Sequence, residues 1–147
     1  MSVETTTPRI PRGAQVVCAT LGTVLLAVGV MGLISRGVDG FGDLTGRTVL
    51  GLGGSPLLNS AHVVAGLVAL VLARRALGAE IAGLVGGLTF LGFTVYDSVA
   101  LINGAPGDPL SIQWPGLVLH SAALAASVLM VVLAGRAVGD RPVAARY

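Results

Sequence analysis

The stretch "SPLLNSAHVVAGLVALVLARR", residues 55–75, decides how this chain folds. Residues 56–73 contain no Asp, Glu, Lys or Arg, and the run closes on Arg74 and Arg75. A helix crossing the hydrocarbon of a bilayer needs roughly 17–25 such residues at about 1.5 Å each. Pro56 suits the first turn of a helix, where its missing N–H costs nothing. Three further apolar runs occur, at about 14–34, 77–102 and 114–134, of which only 77–102 holds carboxylates, Glu80 near one end and Asp97 near the other. The expectation is an all-α fold, a four-transmembrane-helix bundle over residues 14–135. A short tail precedes it at 1–13 and another follows at 136–147, both polar and expected to be mobile.

The composition agrees. At 147 residues the chain has room for one domain, and it is 54% hydrophobic but only 11% charged. Soluble domains carry about 25% charged residues, so too little polar surface is left to cover a water-soluble globule. All nine basic residues are arginine, a bias that suits a high-GC bacterial genome. They bracket the apolar runs and form no patch, so the net charge of +2 points to a lipid bilayer and not to nucleic acid. The single cysteine, Cys18, excludes an internal disulfide and reads as a small packing residue within an apolar run.

Direction follows from the arginines. With the N-terminus inside, Arg9, Arg12, Arg74, Arg75, Arg136, Arg141 and Arg146 fall on the inner side, against Arg36 and Arg47 outside. That asymmetry predicts a multi-pass protein of the bacterial plasma membrane with both termini cytoplasmic, and it puts Tyr96 and Trp114 near the outer interface. The apolar core of the first span is longer than the roughly 7–15 residues of a signal peptide, so it is expected to be a mature helix.

Small residues predict how the spans meet, because lipid supplies little force to drive one apolar helix onto another. Ala61, Ala65, Ala69 and Ala73 form a stripe on the second span. The third has Gly83, Gly86 and Gly87, the first has Ala19, Thr23, Ala27, Gly29 and Gly32, and the fourth has Ala122 and Ala126 beside Ser121 and Ala125. A faint internal repeat is also visible. Each half is a helix, a loop, and a second helix with a histidine six residues inside its outer end, as a parallel two-helix repeat would give.

Those histidines are the residues that need explaining. His62 lies six residues from Pro56, about 9 Å deep by helical rise, and His120 lies six residues from Trp114. Asp97 is five residues from the outer end of the third span. All three share faces with small residues: His62 with Ala65 and Gly66 beside Asn59, His120 with Gly116, Ala123 and Ser127, and Asp97 with Gly83, Gly86 and Gly87 beside Thr94 and Phe90. A carboxylate facing lipid at mid-depth would cost on the order of 3 kcal/mol, so an interior cluster of His62, Asp97, His120 and Asn59 is expected. The simplest reading is that these groups satisfy one another and set the helix register. Three sharper readings remain open: a proton or ion relay, a metal bound by the two histidines with Asp97 as third ligand, and a haem held between the two histidines. For haem, only Arg36 and Arg47 stand on the outer side to meet propionates.

The motif "SPLLNSAH" is similar to the Asn-Pro-x-His-Asn-x-x-His opening of the second helix in an actinobacterial four-helix membrane family, domain of unknown function 4383. Pro56, Asn59, His62 and His120 match by position, and the resemblance covers most of the chain. Ser55 stands for the Asn and Leu58 for the first His. If the family uses that first His in a site, this chain has lost or altered it. The family has no assigned activity, so the resemblance implies a fold and leaves the function open.

Other motifs fail on context. "GLGGS" at 51–55 has no following Lys and no strand before it, so it reads as a turn back toward the membrane and not as a phosphate loop. No nucleophile, base and oxyanion site can be assembled, so no enzyme and no resident cofactor are expected. A last class is an accessory subunit, pairing with another membrane protein or a second copy through the Ala61, Ala65, Ala69 and Ala73 face.

Overall fold

A computed structural model describes residues 12–36, 54–104, 110 and 112–139, and everything below concerns those residues. The tails, Arg47 and the glycine-rich turn at 51–53 lie outside them. Four helices follow in order: α1 (Gly13–Arg36), α2 (Pro56–Leu72), α3 (Ala76–Asn103) and α4 (Trp114–Gly139). They pack as an all-α bundle. Three of them, α1, α3 and α4, are long and apolar enough to cross a membrane, and α2 is a shorter apolar helix.

The ends of the helices follow local chemistry. Ser55 caps α2, its Oγ accepting from Leu58 N at 3.3 Å, and Pro56 occupies the first turn. At the other end of α2 the Gln15 side chain of α1 donates to the Ala73 carbonyl at 3.1 Å, satisfying an acceptor the helix leaves over. The turn into α3 is only three residues long, and a Cβ at Gly78 would collide with the Leu72 carbonyl. Gly104 ends α3 in the left-handed region, φ 56°, where glycine carries no Cβ penalty.

The helices are arranged as two antiparallel hairpins. α1 packs closely on α2, and α3 on α4; α1 also meets α4, while α2 touches α3 over a smaller area. In the first hairpin the backbones are almost in contact. A Cβ on Gly66 would lie 2.6 Å from Leu26 N, and one on Gly29 would lie 2.6 Å from the Asn59 carbonyl oxygen. In the second hairpin Gly83 sits under Met130 and Ser127, and Gly86 faces the Ser127 hydroxyl.

Which small residues do this differs in part from expectation. On α1 it is Gly22, Gly29 and Gly32, with Ala14, Cys18 and Leu25, that turn inward; Thr23 and Ala27 are exposed. On α4 the buried face is Gly116, His120, Ala123, Ser127 and Met130, and Ala122 and Ala125 point outward. A Cβ on Gly87 of α3 would meet nothing within 4 Å. The physical reason is that glycine lets two backbones come closer than alanine does, so the glycine register wins where the two compete. The alanine stripe of α2 is also divided. Ala73 belongs to a buried cluster with Ala14, Cys18, Ala79 and Met130, and Ala69 packs on that cluster, whereas Ala61 is exposed. Ala65 packs on a second buried cluster of Leu25, Phe90 and Ala123, so three of the four residues of the expected docking face are already engaged by the chain's own helices.

Small side chains line most of the helix contacts, Leu25, Leu58, Phe90 and Met130 being the large apolar groups inside, and many large apolar side chains face outward. Ile34, Leu88 and Ile102 are each more than three-quarters exposed, while Cys18 and Ala79 are fully buried. A water-soluble bundle reverses this order; a bundle solvated by hydrocarbon has no reason to hide its large apolar groups.

Candidate functional site

The structure brings His62, Asp97 and His120 together from three helices. Asp97 of α3 and His120 of α4 are both fully buried, and His120 Nδ1 stands 2.6 Å from Asp97 Oδ2. The same imidazole faces His62 of α2, with the two Nε2 atoms 3.1 Å apart and the ring centroids 5.3 Å apart. The shared depth expected from counting residues inward is what allows these contacts. The three side chains form one hydrogen-bonded line, carboxylate to imidazole to imidazole.

The line has a definite logic of protons. An ionised Asp97 can only accept, so with Asp97 ionised His120 donates from Nδ1. Between the two Nε2 atoms one proton is needed, carried by one ring and accepted by the other. His62 Nδ1 then ends the line, buried and with no hydrogen-bond partner among the described residues. Thr94 Oγ1, one turn along α3 from Asp97, is buried in the same condition.

Aromatic rings wall the line off. Phe93 lies 4.9 Å from the His120 ring, centroid to centroid, and Phe90 lies 6.1 Å away. Phe90 shares the Asp97 face as expected, and Phe93, four residues before Asp97, joins it, a spacing that is the sequence signal for it. Asn59 goes elsewhere. It is buried, its amide donates to the Gly54 carbonyl at 3.4 Å, and its side chain fills the space beside Gly32. It therefore wedges the outer end of the first hairpin. Leu58, which stands where the resemblance places a histidine, is buried on the same side of α2.

Neither ligand reading fits this geometry. Two histidines sharing a haem iron hold it from opposite faces of a flat macrocycle, and nitrogens in contact at 3.1 Å leave no room for that ring. For a metal held by two histidines and a carboxylate, Asp97 is in the wrong place. It is bonded to His120 on the ring nitrogen away from His62, where a carboxylate orients a histidine and does not itself ligate. Among the described residues no group of three or more His, Cys, Asp or Glu side chains is placed to hold a metal ion.

The hairpins make the line possible. α2 and α4 face each other across the long diagonal of the bundle, and among the described residues their Cα atoms nowhere come within 8 Å. His62 and His120 span that gap with side chains alone. Comparison with known proteins finds no matching curated protein and no matching solved structure. The model of the family described as Domain of unknown function (DUF4383) matches residues 15–135, a stretch that contains the whole line and most of every helix, and the chain belongs to that family.

Proposed function

We propose that this chain is a non-enzymatic, four-span protein of a bacterial plasma membrane, with both termini cytoplasmic, whose line of Asp97, His120 and His62 pins its two hairpins into one bundle. The all-arginine composition and the family's resemblance support an actinobacterial source. Several features support the topology. α2, at 17 residues, is about 25 Å long and runs antiparallel to α1 along nearly its whole length, so a membrane that accommodates α1 accommodates α2. The seven-to-two arginine asymmetry supports the direction.

The observation that carries the role of the line is the gap between α2 and α4. Backbone packing holds each hairpin and small apolar clusters join the two, while across the α2–α4 diagonal the hydrogen bond between His62 and His120 supplies a direct polar link. Polar groups inside a bundle are well suited to fix which faces meet, since apolar helices in lipid discriminate poorly between alternative registers. The test is a double-mutant cycle on the two histidines, in which a shared bond must appear as coupling.

A second reading is favoured by one atom. His62 Nδ1 is buried and unpaired at the end of a continuous line of exchangeable protons, which is the arrangement a proton relay requires. A pin needs only the two bonds; a relay needs that free end.

A further inference from the structure

The flank between α2 and α3 is where the bundle is least closed. A cleft of ≈ 630 Å³ runs there, walled by Ala61, Ala65 and Ala69 of α2 and by Ala82 and Gly86 of α3, with Phe90 in its floor. These side chains are too short to meet across the gap. The cleft reaches from Leu57 to Leu72, about 22 Å by helical rise, and apart from Ser60 and Thr89 its lining is apolar. Its lining ends at Leu72 on α2 and Ile81 on α3, and the turn that joins these two helices carries Arg74 and Arg75, both exposed. Glu80 is the one carboxylate close by in sequence, so two cations face one anion at this corner.

Water does not fill an apolar slot of this kind, and within a bilayer the material beside it is hydrocarbon. A chain lying in the cleft gains no hydrophobic free energy, because the lipid it leaves is equally apolar. Selection must then come from the charged end. We infer that the α2–α3 cleft binds one phospholipid with an anionic headgroup, an acyl chain lying along the Ala61, Ala65 and Ala69 wall and the phosphate meeting Arg74 and Arg75. The inference rests on α2 and α3 both spanning the membrane, and it is independent of the role of the histidines.

Basic residues at a membrane surface attract anionic lipid by about 1 kcal/mol each, or about fivefold per arginine, so the pair predicts a preference of about 25-fold. The experiment is native mass spectrometry of the full chain taken from bilayers of equal phosphatidylglycerol and phosphatidylcholine with matched acyl chains. One retained phosphatidylglycerol is expected. Arg74→Gln with Arg75→Gln should remove the preference. Val68→Phe with Val85→Phe, at half-exposed positions on the cleft walls, should remove the retained lipid itself while the arginines stay in place. Leu88→Phe, on an exposed face outside the cleft, is the control for folding and general lipid contact and should change neither. Equal retention of the two lipids by the unaltered chain overturns the inference. So does retention that survives the cleft variant, or lipid displaced by millimolar inorganic phosphate, since either result means surface charge alone is at work.

Discussion

Replacing His120 with alanine deletes both bonds of the buried line at once and leaves the Asp97 carboxylate without its 2.6 Å partner. In soluble proteins, removing one member of a buried ionic pair costs about 3–5 kcal/mol. Within a membrane, interhelical hydrogen bonds average only about 0.6 kcal/mol and reach about 1.7, because the unfolded chain in lipid also finds partners. His62→Ala loses one imidazole–imidazole bond at 3.1 Å, from a ring whose other nitrogen is already unpaired, so a cost of about 0.6–1.7 kcal/mol is expected. His120→Ala loses that bond, the carboxylate bond and the contact with the Phe93 ring, and should cost about 2–4 kcal/mol. The double variant should then cost less than the sum of the singles by about 0.5–1.7 kcal/mol, the part the two share. Reversible unfolding in mixed micelles, followed by circular dichroism for both singles and the double, gives the cycle. Additivity within about 0.5 kcal/mol would mean that the 3.1 Å contact holds nothing together. A His62→Ala variant less stable than His120→Ala would refute the order of the line.

Other outcomes follow from packing and topology. Gly66→Leu should cost more than about 3 kcal/mol or prevent closure of the first hairpin, because the atoms a Cβ would meet are backbone and cannot step aside. Gly87→Ala, with nothing within 4 Å, should stay within about 1 kcal/mol of the parent and lean toward stabilisation through helix propensity; thermal melting of both variants checks the contrast. Ser55→Ala removes the cap on α2 and should cost about 1 kcal/mol in the same assay, with Ser55→Asn close to neutral. Reporter fusions should place residues 40 and 107 outside and residue 77 inside; an inside signal at residue 40 would overturn the direction read from the arginines.

Much of this architecture was legible because the length of the apolar runs and the depth of polar residues within them are visible in the sequence without any structure. Apolar runs of bilayer length give four helices, and counting inward from Pro56, Trp114 and residue 102 puts His62, His120 and Asp97 at one height, where the structure joins them. Faces were legible where a large polar residue marks the inside, as on α2, α3 and α4. They were not legible on α1, which carries no such marker; there Ala19, Thr23 and Ala27 and the glycines make competing stripes, and only the close approach of Gly29 to Asn59 and of Gly22 to Gly66 decides between them. Asn59 shows the limit of reading a face. It shares the His62 side of α2 but sits one turn nearer the end, and there the nearest acceptor is the Gly54 carbonyl. Which nitrogen of His120 meets Asp97 depends on a few tenths of a turn, a precision that residue counting does not reach.

Proton positions separate the pin from the relay. In the resting arrangement with both rings neutral, His120 carries its proton on Nδ1, bonded to Asp97, and His62 carries its proton on Nε2, bonded to His120. The two histidines thus hold opposite tautomers. No α1 residue offers His62 what Asp97 offers His120: between Gly22, which faces Gly66, and Gly29, which faces Asn59, the positions nearest in register are Leu25, Leu26, Ala27 and Val28. A proton arriving at His62 Nδ1 would displace the Nε2 proton onto His120, and the Nδ1 proton of His120 onto Asp97, inverting both rings in one pass. Before a second pass each ring must revert, so a working relay populates both arrangements and exchanges them. A pin populates one. Nitrogen-15 spectra of histidine-labelled protein in nanodiscs report this directly, as four sharp resonances of opposite tautomers for a pin or as exchange-broadened lines for a relay. In Asp97→Leu the His120 tautomer loses the acceptor that fixes it, and its two nitrogens should average in either case. Identical tautomers on both rings in the unaltered chain would contradict pin and relay alike, because the two Nε2 atoms would then hold two protons or none and could not remain 3.1 Å apart.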